Sequence, residues 1–262
     1  MATHLETELL TSVLVGLFAL VCLVWEKLAP AVPLPHARSW YWRLLAVVVM
    51  TSVTGRLGRV LGEPLAAVDL PTKVLAPLPP WAQGLVGFLV LSFVHYWWHL
   101  VRHRSRLLWN VFHQLHHSPS RIEVFTAYFV HPLETLGSSL LNALFFFGLG
   151  GSIEGSFFFV GLFFLFGIFS HANVRTPAWL DLFVGTPELH RIHHIEGKHW
   201  GNFSGFPIID RLFGTYIPRQ VPEPAVAKGF RDELEQRFLD ILLLRNVLDR
   251  HPKRPVLPGK TG

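Results

Sequence analysis

Five apolar stretches constrain the fold of this chain more than any other feature of its sequence. They run from Leu9 to Trp25, Leu44 to about Leu61, Trp81 to Leu100, Leu136 to Gly150 and Phe157 to Ser170. A membrane-spanning helix needs about 20 apolar residues, with a range of roughly 17 to 25, and the first and third stretches meet that length. The last two are shorter and are joined by a Gly-Gly-Ser turn. They predict a tight helical hairpin that either spans the membrane or re-enters it.

The composition supports a membrane protein. Half of the 262 residues are apolar and only 16% are charged, whereas soluble domains carry about 25% charged residues. The 22 Phe and 9 Trp residues suit lipid-facing surfaces and interfacial belts. The net charge of +5 suits anionic lipid headgroups better than nucleic acid, so no nucleic acid partner is expected. Because Cys22 is the only cysteine, neither a disulfide framework nor a cysteine metal site is expected.

The loops between the stretches predict an orientation in the membrane. Basic residues lie between the first two stretches and again after the third, namely Lys27, Arg38, Arg43, Arg102, Arg104 and Arg106. Basic loops belong on the cytoplasmic side, which puts the N-terminus outside and the long C-terminal part inside. Arg56 and Arg59 run against this orientation. We expect an integral, multi-pass protein of a bacterial inner membrane or the endoplasmic reticulum, with its active site on the cytoplasmic side.

Three parts are expected along the chain. Residues 1–80 hold N-terminal transmembrane helices and a Pro-rich connector from Leu70 to Pro80, and residues 81–217 form the core with the histidine motifs. Residues 218–262 hold an amphipathic helix from Phe230 to Arg250 and a Pro- and Lys-rich tail; the helix either caps the cytoplasmic domain or lies on the membrane surface. The predicted fold is all-α, a multi-pass transmembrane helical bundle with a cytoplasmic, histidine-rich helical cap.

Histidine is present in excess, with 15 residues, and eight of them fall into three spaced motifs. The motifs are His95-x3-His99, His113-x2-His116-His117 and His190-x2-His193-His194. Residues three and four apart share one face of a helix, so each motif is expected to direct its imidazoles at one point. A lone histidine on an apolar face is usually a core or interfacial residue. Three motifs on one side of the membrane predict a metal site instead, and eight ligands suit two ions.

Four further histidines lie near these motifs. His171 ends the fifth stretch at the depth of His95, and we expect it to be a ligand. His131 precedes the fourth stretch and is also a candidate ligand, although the following proline could simply place it at the interface. His103 and His199 have a more exposed pattern and are expected to lie outside the ligand set.

The ligand type alone does not name the metal, because imidazole nitrogen suits zinc, copper, iron and nickel. A single catalytic zinc takes three protein ligands and an open position, so eight histidines favour a pair of iron ions that bind and reduce O2. Zinc is a possible substitute in a purified sample. Metal-bound imidazoles usually donate their second N–H to a neighbouring group, for which the candidates are Glu134, Asp181, Glu188, Asn110, Asn173 and Asn202.

The motifs together resemble the fatty acid hydroxylase superfamily, including its sterol desaturase-like members, over roughly Leu85 to Tyr216. Besides the three histidine motifs, the resemblance is carried by the segments 127–134, 186–194, 202–203 and 210–216. It implies a membrane bundle under a cytoplasmic cap that holds a dimetal centre. It also implies a monooxygenase that takes electrons from an outside carrier of the cytochrome b5 or ferredoxin type with its reductase.

The expected function is therefore a membrane-bound, non-haem diiron oxygenase that hydroxylates or desaturates a lipid C–H bond, with no catalytic residue beyond the metal ligands. The chain has no Gly-rich nucleotide fingerprint and no cysteine cluster for an iron–sulfur centre, which agrees with an external electron donor. A histidine-rich metal transporter or sensor is the alternative, and it predicts ionisable residues deep in several helices. A membrane zinc hydrolase would need a carboxylate within the ligand motif, as in H-E-x-x-H.

Overall fold

The computed structural model describes residues 2–68, 73–196, 199–219, 229–230 and 232–248, and within these ranges the protein is all-α. The helices are α1 (Ala2–Leu28), α2 (Trp40–Gly62), α3 (Pro80–Arg104), α4 (Arg106–Leu108), α5 (Gln114–His117), α6 (Pro132–Gly148), α7 (Ile153–His171), α8 (Pro187–His194), α9 (Pro207–Leu212), α10 (Asp232–Glu235) and α11 (Phe238–Leu242). A π-helical turn, Trp109–His113, joins α4 to α5. Short 3-10 turns cover Glu63–Ala67, Val124–Tyr128 and Ala178–Leu182.

Four of the helices in the described part of the chain are long enough and apolar enough to cross a membrane, which identifies an integral membrane protein. They are α1, α2 with the turn that follows it, α3 and α7. The 17-residue helix α6 is about 26 Å long at 1.5 Å per residue, somewhat less than the ~30 Å hydrocarbon layer. It packs along α2, while α7 packs between α1 and α3. The predicted multi-pass helical bundle is confirmed.

The two ends of the bundle are chemically different. At one end Arg59 of α2 pairs with Glu8 of α1, and both side chains are partly exposed. At the other end the buried Glu26 carboxylate of α1 accepts hydrogen bonds from the backbone N–H groups of Val124 and Asn173, each at 3.1 Å. We call this second end the histidine end, because α3, α5, α7 and α8 all bring histidines to it.

The C-terminal segment covers the histidine end, although not as predicted. The single amphipathic helix expected from Phe230 to Arg250 is replaced by the short helices α10 and α11. The amide of Gln114 accepts from the Val247 N–H and donates to the Arg245 carbonyl, which removes these backbone groups from any continuing helix. Buried apolar residues of the segment then pack on α2 and the 109–129 region. The expected tail from residue 251 onward lies outside the described residues.

Small residues let α2 and α6 approach closely. Gly58 and Gly62 are one helical turn apart on α2, and a Cβ at either position would lie 2.5 Å from the Cβ of Ser139 or Ala143 on α6. Helices in lipid associate through van der Waals packing of this kind, because lipid tails offer no hydrophobic driving force between them. This contact holds α2 and α6 together.

We expect Gly58→Ile to destabilise the protein by about 1–3 kcal/mol, because the added side chain forces α2 away from α6. The measurement is the thermal unfolding midpoint in detergent, followed by circular dichroism. Gly16→Ile is the matched control, since Gly16 lies in the apolar helix α1 and a Cβ added there would meet no atom within 4 Å. Equal midpoints for the two variants would contradict the packing role of Gly58.

Candidate metal centre

Among the residues that the structure describes, nine histidines form two clusters at the histidine end. The first cluster comprises His99, His103, His113, His117 and His193, and the second cluster comprises His116, His171, His190 and His194. Within each cluster, one nitrogen of every ring lies within 4.8 Å of the corresponding nitrogens of the other rings. The two clusters touch, because the ring of His117 stacks on that of His194 with 4.3 Å between centroids. The geometry therefore suits two neighbouring metal ions.

Each H-x2-HH motif contributes to both clusters. His113 and His117 are four residues apart and turn toward the first cluster, whereas His116 turns toward the second. The motif His190-x2-His193-His194 divides in the same way, with His193 in the first cluster and His194 in the second. The expectation that each motif directs all its imidazoles at one point is therefore wrong. Adjacent residues on a helix differ by about 100° in direction, which separates the paired histidines.

The spacing of the ring nitrogens is that of ligands around an ion. In the first cluster the Nε2 atom of His99 lies 2.9 Å from that of His113 and 3.1 Å from that of His193. In the second cluster the Nε2 atom of His171 lies 3.2 Å from that of His116 and 3.0 Å from that of His190. Adjacent ligands at bonds of about 2.1 Å around an octahedral ion would lie about 3.0 Å apart.

These close contacts are not hydrogen bonds. The Nδ1–H of His99 donates to the Phe203 carbonyl and that of His193 donates to the Gly201 carbonyl, each at 2.7 Å. In a neutral imidazole with Nδ1 protonated, Nε2 carries only a lone pair. The two Nε2 atoms therefore face each other as two acceptors, which repel unless a cation lies between them. These facing nitrogen lone pairs therefore fit a metal ion, and this evidence does not depend on the sequence motif.

The second cluster repeats this arrangement. The Nδ1–H of His171 donates to the Gly167 carbonyl at 2.7 Å, and that of His116 donates to the Phe129 carbonyl at 3.4 Å. These carbonyls fix the tautomer and direct the Nε2 lone pairs at each other. Backbone carbonyls are common partners of metal-bound histidines because they orient the ring and raise its basicity.

Burial keeps the clustered imidazoles neutral. Desolvation lowers the pKa of His193 to about 3. The same burial, reinforced by the neighbouring imidazoles, lowers the pKa of His116, His117 and His194 well below the usual range of histidine. A neutral imidazole is the form that binds metal, so at neutral pH these side chains need lose no proton before binding.

Two carboxylates support the first cluster. Glu134 of α6 is buried and accepts hydrogen bonds from Arg102 and from the Nδ1 atom of His113, the latter at 3.0 Å. Asp210 accepts from the N–H groups of Phe203 and Ser204 at 2.8 and 2.9 Å and thereby fixes the loop whose carbonyl binds His99. Burial raises the pKa of Asp210 to about 6. Among the partners suggested by the sequence, Glu134 contacts a clustered histidine directly.

Other suggested partners bind the backbone instead. Glu188 accepts from the N–H and hydroxyl of Thr176, and the Asn173 amide pairs with both backbone groups of Val32. Asn202 donates to two carbonyls and accepts from the N–H of Ile217. These groups hold the loops around α8 in place, and so they position the second H-x2-HH motif indirectly.

Two of the ten predicted ligands lie outside both clusters. His95 directs its Nε2 atom at the side-chain oxygen of Asn142 on α6, 2.6 Å away. His131 uses both ring nitrogens for structure, since Nδ1 accepts from the Leu133 N–H and Nε2 lies 3.3 Å from the Leu242 carbonyl. The structure thus brings eight of the predicted histidines together and leaves these two apart.

His103 belongs to the first cluster although the sequence predicted a position outside the ligand set. It is buried, and its Nε2 atom lies 3.2 Å from that of His99. The sequence does contain a signal for His103. His95, His99 and His103 repeat at four-residue intervals, so the pair His99 and His103 fits one helix face as well as the pair His95 and His99 does. His199 is also buried rather than exposed, with its ring 4.5 Å from that of His117.

A cavity of about 200 Å³ adjoins both clusters between α3 and α7. Imidazoles of both clusters reach it, and the aromatic rings of Phe88, Phe163 and Phe166 form much of its wall. The Phe runs at 145–147 and 157–159, considered from the sequence as a lipid path, are absent from this wall; Phe146 and Phe159 lie in the buried core. A cavity with an aromatic wall beside the clustered imidazoles suits a substrate with an apolar part.

Comparison with known proteins agrees with this geometry. The chain is 34% identical over 190 residues to the ornithine lipid hydroxylase OlsE of Rhizobium tropici, covering 67% of this chain and 56% of that protein. It is 29% identical over 202 residues to an alkylglycerol monooxygenase of Xenopus tropicalis, covering 70% and 44%. It is 30% identical over 153 residues to methylsterol monooxygenase 2-2 of Arabidopsis thaliana, covering 53% and 55%.

The chain spans about half the length of these relatives. No solved structure matches it. The family model described as fatty acid hydroxylase matches residues 84–215, a range that contains all nine clustered histidines and the cavity beside them. The resemblance expected from the motifs is confirmed, and the chain belongs to the fatty acid hydroxylase family.

Proposed function

We propose that this chain is a membrane-bound, non-haem diiron oxygenase that hydroxylates a lipid C–H bond. The observation that carries the proposal is the pair of imidazole clusters whose lone pairs face each other beside a cavity with an aromatic wall. The reaction consumes one O2, two electrons and two protons, and it converts R–H into R–OH and one water. Desaturation would use the same oxidant and remove a second hydrogen in place of adding oxygen.

The nine clustered histidines are the proposed ligands. Five would hold one ion and four the other, and iron ions bound there would supply the reduction of O2. The chain itself contributes the fixed tautomers of the rings, the positioning of His113 by Glu134, and a water-poor cavity that holds the substrate. His95 and His131 are not included, since the Nε2 atom of His95 faces Asn142 and both ring nitrogens of His131 serve other partners. Zinc would fit the same nitrogen donors.

The substrate is proposed to be a lipid that enters from the bilayer. The cavity lies between two candidate membrane-spanning helices, α3 and α7, so an acyl or alkyl chain can reach it without crossing water. The relatives named for ornithine lipid, alkylglycerol and methylsterol oxidation support a lipid as substrate. A metal transporter is disfavoured because the imidazoles converge on closed clusters instead of continuing as a polar path.

Sidedness and electron supply are also proposals. Lys27, Arg104 and Arg106 are exposed at the histidine end, which favours a cytoplasmic position for the metal centre. Exposed cations near the centre would attract an acidic carrier protein. A donor of the cytochrome b5 or ferredoxin type with its reductase fits a chain that has no nucleotide-binding fingerprint of its own.

The purified, iron-loaded protein should contain two iron ions per chain and consume O2 when lipid and an electron donor are both present. His116→Ala and His193→Ala should each abolish turnover, because each removes a nitrogen from one cluster. His4→Ala is the control, since His4 pairs with Glu154 away from both clusters. Metal binding without lipid-dependent O2 consumption across acyl, alkyl ether and sterol substrates would overturn the proposal.

Glu134→Gln should weaken metal binding at the first cluster by about 10- to 100-fold, as expected when the partner of a metal-bound histidine is altered. The amide cannot supply the negative charge that Glu134 offers to His113 and Arg102. The measurement is the metal content per chain after dialysis against graded chelator. Retention of the second ion, with loss of the first, is the expected result.

Glu154→Gln is the matched control for this experiment. Glu154 is also a glutamate of a membrane helix, but it lies in the first turn of α7, at the end of the bundle opposite the clusters. Equal metal retention by the two variants would show that Glu134 does not support the site.

A further inference from the structure

Polar side chains as well as aromatic rings line the cavity beside the clusters, and most of their polar atoms are already used within the protein. The Ser92 hydroxyl donates to the Phe88 carbonyl at 2.6 Å, and the Ser170 hydroxyl donates to the Gly167 carbonyl at 3.1 Å. The Asn202 amide is saturated by three backbone groups. The imidazoles of the metal clusters direct their Nε2 atoms at each other. The Arg102 guanidinium donates to Glu134, the Tyr96 hydroxyl bonds to that of Thr215, and the Ser204 hydroxyl accepts from the Phe206 N–H. These side chains therefore have little capacity to accept a hydrogen bond from the substrate.

His95 is different. It lines the same cavity, and the described hydrogen bonds use only its Nε2 atom, which lies 2.6 Å from the Asn142 side-chain oxygen. A carbonyl oxygen accepts hydrogen bonds and cannot donate, so Nε2 must carry the proton. In a neutral imidazole the other nitrogen, Nδ1, is then an acceptor. Asn142 thus fixes the tautomer in which His95 accepts a hydrogen bond from its surroundings.

The depth of His95 relates this acceptor to the metal centre. His95 lies one helical turn before His99 on α3. At 1.5 Å per residue, it is therefore about 6 Å from His99 along the helix axis, on the side toward the interior of the membrane. Its ring packs on Phe163 of the aromatic wall, with 4.4 Å between centroids. His95 is half-buried, and an ionisable residue within a membrane helix is costly and is therefore expected to serve a function. A polar atom of the substrate that is hydrogen-bonded to His95 would lie within a few bonds of a carbon held beside the metal ions.

We propose that His95, oriented by Asn142, accepts a hydrogen bond from a hydroxyl or amide N–H of the lipid substrate, close to the carbon that is oxidised. This inference rests on the proposed function and narrows its substrate class. The substrate would be a lipid that carries a free hydrogen-bond donor near the reaction centre, and a lipid with that donor blocked would fit less well. His95 is a substrate-binding residue in this scheme, and Asn142 is a positioning residue.

Binding is best measured on zinc-loaded protein in nanodiscs, so that affinity is separated from chemistry. The probes are hexadecylglycerol ether with both hydroxyls free and the same ether with both hydroxyls methylated. A second pair is N-palmitoyl glycine and N-palmitoyl sarcosine, in which the amide nitrogen is methylated and has no hydrogen to donate. We expect at least one free-donor probe to bind about tenfold or more tightly than its blocked partner, because a buried acceptor left unpaired is costly.

The variants assign this preference to His95. His95→Phe should bind the two members of a pair within about twofold of each other, and Asn142→Leu should lose part of the preference because the tautomer is no longer fixed. The double variant His95→Phe with Asn142→Leu removes both polar groups and guards against misfolding caused by an unpaired Asn142. Ser92→Ala is the control from the same wall, since the Ser92 hydroxyl is occupied by a backbone carbonyl. It should keep the full preference.

The outcomes separate the two proposals. Equal binding of donor and blocked probes by the unaltered protein, binding of neither donor probe, or an unchanged preference in His95→Phe would overturn the role of His95. Loss of the preference only in the His95 and Asn142 variants would support it. A donor preference together with no lipid-dependent O2 consumption by iron-loaded protein would leave the binding role intact and overturn the proposed function.

Discussion

The centre of this protein depends on imidazole lone pairs that are held against each other. Backbone carbonyls of residues 129, 167, 201 and 203 accept the Nδ1–H groups of four clustered rings, which leaves the Nε2 lone pairs to converge at about 3 Å. Burial then keeps the imidazoles outside the membrane helices uncharged. Without a cation this arrangement is repulsive, so the surrounding fold must hold it together.

The fold supplies that support from both sides of the centre. The membrane helices α3 and α7 end at the clusters, and Glu26 of α1 binds the backbone just beyond the end of α7. On the other side, Asp210 fixes the 203–204 loop and Gln114 anchors the C-terminal segment over α5. The buried Arg102–Glu134 pair links α3 to α6 and contacts His113 as well. The rings are therefore oriented by groups from nearly every described element of the histidine end.

The same arrangement assigns metal binding and substrate selectivity to different side chains. The clustered rings offer mainly nitrogen ligands, because the second nitrogens of four of them are committed to backbone carbonyls and that of His113 faces Glu134. On the proposed function, selectivity for the substrate would then come from the cavity wall, which aromatic rings form in large part and where His95 offers a polar contact. Two polar residues one helical turn apart on α3, His95 and His99, would thus serve different partners.

The sequence alone determined much of this protein. Apolar length predicted membrane helices, and the order and spacing of the histidine motifs predicted both the family and two ions, because these signals are local and survive in any packing. The sequence also placed all three motifs at one side of the bundle. It predicted eight of the nine clustered histidines, since each lies in a motif or at the end of an apolar stretch.

The tertiary structure decided the rest. His95, His99 and His103 share one face of α3, so periodicity could not tell which of them meets His113 and His193. Only the contacts of α3 with the 109–113 turn and with α8 selected His103 over His95. The division of each H-x2-HH motif between two clusters depended on what faces each side of its helix. The C-terminal helix was interrupted by the Gln114 amide, 131 residues away along the chain from Arg245. Each of these outcomes depends on contacts between distant segments, which local spacing does not encode.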